Sequence, residues 1–140
     1  MGEEKVKGRK RHLLVDTDGL VLGVYVLAAD LADSDAADAL LADLRRAFPT
    51  LDLVWADSAY RGLVDWAQQT LDLTIEIVAK SPEPGFHVAP RRWVVERTFA
   101  WLGACRRLAK DFERTAESAE AWILLAMTRL MLRRLAAHAY

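Results

Sequence analysis

The chain has 140 residues, of which 53% are hydrophobic and 28% are charged. This length suits one domain, and the composition excludes a disordered or collagen-like chain. Because Cys105 is the one cysteine, an internal disulfide and a cysteine-rich metal knuckle are excluded. This count fits a protein of the reducing cytosol. The apolar run near the C-terminus is interrupted by Arg129 and is too short to cross a membrane. The basic N-terminus lacks a signal-type cleavage region, so we expect a cytoplasmic globular protein.

Charge is segregated along the chain, although the formal net charge is only -1. Residues 1–12 form a basic arm of net charge +3, residues 13–57 carry -7, residues 58–90 carry -2, and residues 91–140 carry +5. Basic ends beside an acidic middle can offer phosphate-binding surfaces next to a carboxylate-rich centre. An ordinary solvated surface of mixed charge explains the same counts.

The first predicted unit of structure is a β-hairpin. Two apolar runs flank Asp18-Gly19, and this dipeptide between such runs is a strong hairpin signal. We therefore predict antiparallel strands near 11–16 and 20–28. Asp16 and Asp18 lie at the turn, where aspartates commonly bond the backbone.

Helices and strands alternate after the hairpin. Periodicity predicts helices over about 35–48 and 59–70, and strands over 51–56, which we expect to be buried, and 73–79. The residues expected to cap the helices are Asp33, Ser34 or Asp35 for the first helix and Ser58 for the second.

The last third of the chain reads as a proline-rich loop over 80–90 and two helices, 91–110 and 116–139. The resulting order, ββαβαβαα, predicts a mixed α/β layer fold. Arg129, Arg133 and Arg134 are expected outward or toward a ligand. The predicted core residues are Val95, Phe99 and Leu102 in the first of these helices and Trp122, Leu125, Leu130, Leu132 and Leu135 in the second.

Two acids stand out by their positions. Asp57 follows the apolar run 51–56, and ligands bind at the carboxyl ends of strands in open α/β sheets. A capping or turn aspartate is the commoner role for such a residue. Glu96 lies in a predicted helix, with Arg92 four residues before it and Arg97 beside it. The alternative role for Glu96 is an ordinary exposed ion pair, worth about 0.2–0.5 kcal/mol.

Three segments together resemble the catalytic region of DDE transposases from bacterial insertion sequences. They are KVKGRKRHLLVDTDG, WADSAYRG and PRRWVVERTFAWLGACRRLAKDFER, and the resemblance extends over about residues 5–136. It implies a ribonuclease-H-like, integrase-like fold, in which helices flank a mixed sheet. It also implies that Asp57 is the second catalytic acid of the family and Glu96 the third.

The resemblance implies Mg²⁺-dependent, or Mn²⁺-dependent, cleavage and strand transfer at transposon ends by a two-metal mechanism. Carboxylates supply the hard oxygen ligands that Mg²⁺ prefers. The implied partner is DNA, in the bacterial cytoplasm at the nucleoid, with a homodimer or an upstream transposase segment as a further partner. The residues expected to contact DNA phosphates are Lys5, Lys7, Arg9, Lys10, Arg11, Arg92, Arg97, Arg106, Arg107 and Lys110.

The resemblance is incomplete at three places. The family's first acid lies on a strand upstream of the basic segment, and only MGEE precedes KVKGRKRH. We therefore expect an N-terminally truncated DDE domain over 1–140, without its central first strand and incomplete as an isolated enzyme. Asp16 is a weaker candidate for that acid than for the turn. In the family's Tyr-Arg-Glu-Lys signature, Ala89 replaces the tyrosine and Gly103 the lysine, so Arg106 or Arg107 would have to supply the basic group.

Two other functions stay open. One is a catalytically dead remnant that acts only as a DNA-binding or transposase-binding module. The other is a small hydrolase or nuclease that uses Asp57 with His87, although no nucleophile elbow or triad spacing supports it.

Overall fold

A computed structural model of the chain describes residues 8–79 and 90–139. The described residues form a mixed α/β structure in the predicted order ββαβαβαα. Two short 3-10 helices, Ser58–Leu63 and Arg106–Leu108, precede α2 and α4. The strands and helices are β1 (Arg9–Val15), β2 (Val21–Ala28), α1 (Asp33–Ala47), β3 (Leu53–Ala56), α2 (Val64–Leu71), β4 (Thr74–Ile77), α3 (Pro90–Gly103) and α4 (Ala116–Ala137).

The described residues divide into two compact units. The first unit holds residues 8–30 and 94–139, and the second holds 31–79 and 90–93. Each unit has its own two-stranded sheet, β1–β2 in the first and β3–β4 in the second. The sequence predicts one mixed sheet, but the strand pairing within the described ranges does not join the two. The loop predicted over 80–90 lies outside the described residues, apart from Pro90, which begins α3.

The predicted hairpin is confirmed in the first unit. β1 and β2 pair antiparallel, with Arg9 opposite Ala28. Gly19 adopts a φ of +82°, which glycine tolerates without strain. One carboxylate oxygen of Asp16 accepts hydrogen bonds from the backbone N–H groups of Asp18 and Leu20, both at 2.9 Å. The turn role of Asp16 is therefore confirmed.

The core of the first unit lies between β2 and α4. Its buried members are Val24 and Val26 of β2, Leu102, Leu108, and Ala119 and Ile123 of α4. A side-chain contact fixes the same interface, since Glu120 Oε1 accepts a hydrogen bond of 2.8 Å from the backbone N–H of Val26. This bond satisfies an N–H group that β1 does not pair.

The core predicted for α4 was largely wrong. Ala119, Ile123 and Met127, which recur every four residues, form its buried stripe. The predicted core residues lie outside that stripe, with exposed fractions of 37% for Trp122, 57% for Leu125, 60% for Leu132 and 68% for Leu135, and with Leu130 only half-buried. The larger apolar side chains of α4 therefore lie outside the stripe that meets β2.

Helix α3 ends earlier than the helix predicted over 91–110. It stops at Gly103, which has poor helical propensity, and Cys105 is extended, with φ -79° and ψ 120°. A 3-10 helix then covers only Arg106–Leu108 of the predicted remainder. Of the stripe expected to be buried, Leu102 is buried, Val95 is half-buried, and Phe99 is 38% exposed.

The second unit is built on a β3–helix–β4 crossover. The two strands pair parallel, with Val54 opposite Ile75, and α1 packs on the first 3-10 helix and α2. The five buried residues of α1 recur at helical spacing, and Leu73 just before β4 is fully buried. β3 is less buried than predicted, because only Val54 is buried and Leu53 is 38% exposed.

The capping residues expected for α1 were wrong, and of the two caps considered for the second helix, Ser58 was wrong and Asp57 is confirmed. The N-cap of α1 is Ala32, without a side-chain bond, and Asp33 and Asp35 instead lie in the first turn, where negative charge favours the helix dipole. At the second site Asp57, not Ser58, provides the cap, and a 3-10 helix replaces the first part of the predicted α-helix. None of the helices within residues 8–79 and 90–139 combines the length and apolar character needed to cross a bilayer.

Candidate active site

Asp57 lies where the sequence placed it, directly after the last residue of β3. Its side chain is exposed, and Oδ1 accepts a hydrogen bond of 2.9 Å from the backbone N–H of Ala59. The capping role that the sequence left open is therefore confirmed. This bond uses only Oδ1, so Oδ2 can still serve as a hard ligand for a cation.

Tyr60 adds a polar group one turn beyond Asp57. Its pKa is raised from 10.0 to about 12, first by burial and then by the negative charges of Asp33 and Asp57. The phenol is therefore neutral and able to donate a hydrogen bond at neutral pH. The sequence offered no signal for it beyond its place in WADSAYRG.

Trp55, two residues before Asp57, connects β3 to its neighbours in the second unit. Its indole N–H donates to Glu76 Oε2 at 3.0 Å, across the β3–β4 pair. The guanidinium of Arg91, in the first turn of α3, lies 4.1 Å from the centre of the Trp55 ring. At this distance a cation–π contact is favourable. The start of α3 thus packs on the strand that Asp57 follows.

Glu96 lies on α3 and is exposed, one turn after Arg92. Two contacts hold this part of α3 to the hairpin of the first unit. Thr98 Oγ1 donates to the carbonyl oxygen of Gly19 at 2.6 Å, and Arg97 Nη2 donates to the carbonyl oxygen of Asp18 at 3.0 Å. The Asp-Gly turn has a clear signal in the sequence, but its contact with α3 has none.

Asp57 belongs to the second unit and Glu96 to the first. The expectation that these two acids bind the same ion stays a prediction. Within the two described ranges, no group of three or more His, Cys, Asp or Glu side chains could hold a metal ion. His87 and Ala89 lie outside the described residues, as do Lys5 and Lys7 of the basic arm.

Several of the predicted phosphate-binding residues make contacts within the chain. Arg9 Nη1 contacts Asp111 Oδ2 at 3.2 Å and donates to the carbonyl oxygen of Glu113 at 3.0 Å, while Nη2 donates to that of Arg114 at 2.8 Å. Arg11 Nη1 donates to the carbonyl oxygen of Leu108 at 3.0 Å. These two guanidinium groups hold β1 to the segment between α3 and α4.

Further predicted cations differ in their surroundings. Arg107 forms an ion pair with Glu113, and this bond lowers the pKa of the Glu113 carboxyl. Arg97 also stacks on Trp101, 4.7 Å from the ring centre. Arg106 and Lys110 are exposed beyond the end of α3, whereas Lys10 and Arg92 are half-buried. Gly103, the residue at the signature's lysine position, ends α3 itself.

Comparison with known proteins defines the class of this chain. The family profile described as a transposase DDE domain matches residues 2–131. The chain belongs to this family and resembles the DDE transposases of insertion sequences. A putative transposase for insertion sequence element IS402 from Burkholderia cepacia is 30% identical over an alignment of 135 positions, and the match covers 84% of this chain. The chain spans 60% of the length of that relative. No solved structure matches the chain.

Proposed function

We propose that this chain contributes to DNA transposition, with Asp57 and Glu96 as two acids of a DDE site that binds Mg²⁺ or Mn²⁺. Membership of the transposase DDE family supports the transposition function. The observation that carries the assignment of Asp57 is its exposed position directly after β3, with Oδ1 bonded to the backbone and Oδ2 able to bind a cation. Glu96 enters the proposal as an exposed acid of α3, at the position that the family resemblance implies.

The chemistry of the two side chains suits this role. Both are exposed carboxylates, and hard oxygen ligands of this kind match Mg²⁺. Bound metal ions would activate a water or a 3′-hydroxyl and stabilise the leaving oxygen of the scissile phosphate. Asp57 would bind through Oδ2 while Oδ1 keeps its bond to Ala59, so that the backbone holds the ligand in place. Glu96 depends on the contacts of Thr98 and Arg97 for the position of its helix.

The proposed architecture is ribonuclease-H-like. The element order ββαβαβαα supports it, as do the antiparallel hairpin and the parallel β3–β4 pair. In such a fold the two sheets described here would be parts of one mixed sheet. A crystal structure in which the two sheets do not belong to one continuous mixed sheet would contradict this part of the proposal.

DNA would bind through cations that the fold leaves available. Arg106 and Lys110 are the best placed of the predicted set, because both are exposed just beyond α3. Arg106 would also supply the basic group that Gly103 cannot provide, whereas Arg107 is engaged with Glu113. Such contacts position the phosphate backbone and are sensitive to salt.

Metal binding tests the site directly. Mn²⁺ binding to the full chain is measured by isothermal titration and by paramagnetic broadening of amide NMR signals. We expect broadening of amides around both Asp57 and Glu96, and a loss of at least tenfold in affinity in Asp57→Asn and in Glu96→Gln. The matched controls are Asp65→Asn and Glu117→Gln, two exposed acids in the first turns of α2 and α4.

The outcomes separate the candidate functions. Broadening at Asp57 alone, or equal affinity in all four variants, would show that the two acids do not share an ion. Salt-sensitive DNA binding without Mg²⁺-dependent cleavage or joining of DNA would instead favour the binding-module function.

A further inference from the structure

An open apolar groove lies on the first unit, between the second 3-10 helix and α4. Its volume is about 750 Å³. Leu125 and Leu132 of α4 line it, and they are 57% and 60% exposed, although side chains of this size are usually buried. The rest of its apolar floor includes Cys105, Leu108, Trp122 and Ala126.

The groove follows one face of α4. The lining residues Leu125, Arg129, Leu132 and Ala136 recur at helical spacing, and the face from Trp122 to Ala136 extends for about 21 Å at 1.5 Å per residue. That length matches about four turns of a docked helix. Four arginines border the apolar floor, namely Arg106, Arg107, Arg129 and Arg133.

We propose that this groove binds an amphipathic helix of another protein, with leucine-like side chains on its apolar face and Asp or Glu beside them. The apolar floor would bury the leucine-like side chains, as in other helix-in-groove complexes. Arg129 and Arg133, one turn apart, would pair with the flanking carboxylates. Arg107 would take a smaller part, because it already pairs with Glu113 and lies over the Trp122 ring.

Charge complementarity selects this occupant over two others. A second copy docked symmetrically through the same groove would bring the same arginines together, since a two-fold interface pairs identical surfaces. A DNA duplex would pair with the arginines but would cover Leu125 and Leu132 with sugar and phosphate, without giving them an apolar partner. An acidic amphipathic helix satisfies both the charged border and the apolar floor.

Cys105 makes the test specific, because it is the one cysteine of the chain and lines the groove. The probe is a synthetic helical peptide of about four turns with leucines on one face and glutamates beside them. We expect the peptide to slow modification of the Cys105 thiol in the full chain in a saturable manner. The double substitution Arg129→Glu with Arg133→Glu is expected to weaken binding about tenfold, by removing attraction and adding repulsion.

Two controls distinguish the groove from general electrostatics. Arg114→Glu changes an exposed arginine that does not line the groove, so this variant should bind the acidic peptide with the same affinity as the natural chain. A matched peptide with lysine in place of glutamate should bind the double variant better than it binds the natural chain. Circular dichroism verifies that each variant stays folded.

Four results would overturn the proposal. Two concern the peptide: the acidic peptide does not protect Cys105, or the acidic and lysine peptides bind the natural chain equally well. The other two are that dimerisation at higher protein concentration protects Cys105 without peptide, or that a short DNA duplex displaces the peptide from the groove. The last two results would assign the groove to a second copy or to DNA.

Discussion

Thr98 on α3 donates a 2.6 Å hydrogen bond from its hydroxyl to the carbonyl oxygen of Gly19, at the turn between β1 and β2. Thr98 is fully buried, and a Cβ atom placed on Gly19 would come within 2.8 Å of its hydroxyl. The glycine is therefore needed for its positive φ and also for this close approach. The hairpin and the helix that bears Glu96 are held together at this point.

Removing the Thr98 hydroxyl should destabilise the first unit. Thr98→Val leaves the buried carbonyl of Gly19 without its donor, which costs about 1–3 kcal/mol, while Thr98→Ser should retain most of the stability. Urea unfolding followed by circular dichroism measures the difference. Thr128→Val is the matched control, because Thr128 is exposed and its hydroxyl bonds only the carbonyl of Leu124 in its own helix. Equal losses in both valine variants would contradict this account.

Gly19→Ala should be more damaging than the loss of the hydrogen bond alone. A left-handed backbone costs a residue with a side chain about 1–2 kcal/mol, and the added carbon also meets Thr98 and Trp101. We expect a loss of about 2 kcal/mol or more in urea unfolding. Gly62→Ala is a suitable control, because no neighbour lies within 4 Å of the place that its methyl group would take and its φ is not positive. A Gly19→Ala protein as stable as that control would show that the close approach is not required.

The hairpin was predictable because Asp-Gly between apolar runs is a local signal, whereas the face that α4 buries is a tertiary choice. Side-chain size favours Trp122, Leu125 and Leu132 as core residues, but β2 contacts the stripe of Ala119 and Ile123. Glu120 lies within that stripe's span and bonds the backbone of β2, so a polar contact helps to select the buried face.

The candidate site shows the same division. The position of Asp57 after a strand was predictable from the apolar run that precedes it, and its capping bond was one of the two roles that the sequence left open. The contact between Arg91 and Trp55 was not predictable, because it joins residues 36 positions apart and neither carries a local signal.

Asp57 should have separable structural and chemical roles. Asparagine caps helices about as well as aspartate, so the Asp57→Asn variant should unfold at nearly the same urea concentration as the natural chain. Asp57→Ala loses the bond to Ala59 and should cost about 0.5–2 kcal/mol. If Asp57 binds a divalent ion, both variants should lose Mn²⁺ affinity to a similar extent. A variant Asp57→Asn that binds Mn²⁺ as well as the natural chain would leave Asp57 with its capping role alone.

Tyr60 should make the second unit sensitive to alkaline pH. Its pKa is about 12 in the folded chain and 10.0 without these surroundings, so folding favours the neutral phenol. This contribution to stability is complete below pH 10 and is lost as the pH rises from 10 towards about 12. Urea unfolding at several pH values measures this loss of stability. The Tyr60→Phe variant should lack the part of the loss that comes from ionisation of Tyr60. Asp57→Asn should lower the pKa of Tyr60 only in part, because burial is the largest cause of the shift. An ultraviolet titration that finds every tyrosine ionising near pH 10 would contradict the prediction.

Arg9 should matter for stability more than for DNA binding, whereas Arg106 and Lys110 should show the opposite behaviour. The guanidinium of Arg9 bonds two backbone carbonyls and the Asp111 carboxylate, so Arg9→Lys keeps the charge but loses the forked geometry. We expect Arg9→Lys to cost about 1–2 kcal/mol in urea unfolding and to leave the salt dependence of DNA affinity unchanged.

Arg106→Ala and Lys110→Ala should change stability by less than about 0.5 kcal/mol. Each should reduce the slope of log affinity against log salt by about one, which corresponds to the loss of one phosphate contact. If Arg106→Ala and Lys110→Ala keep the natural slope, DNA must bind elsewhere on the chain, and the surface beyond α3 would lose its assigned role.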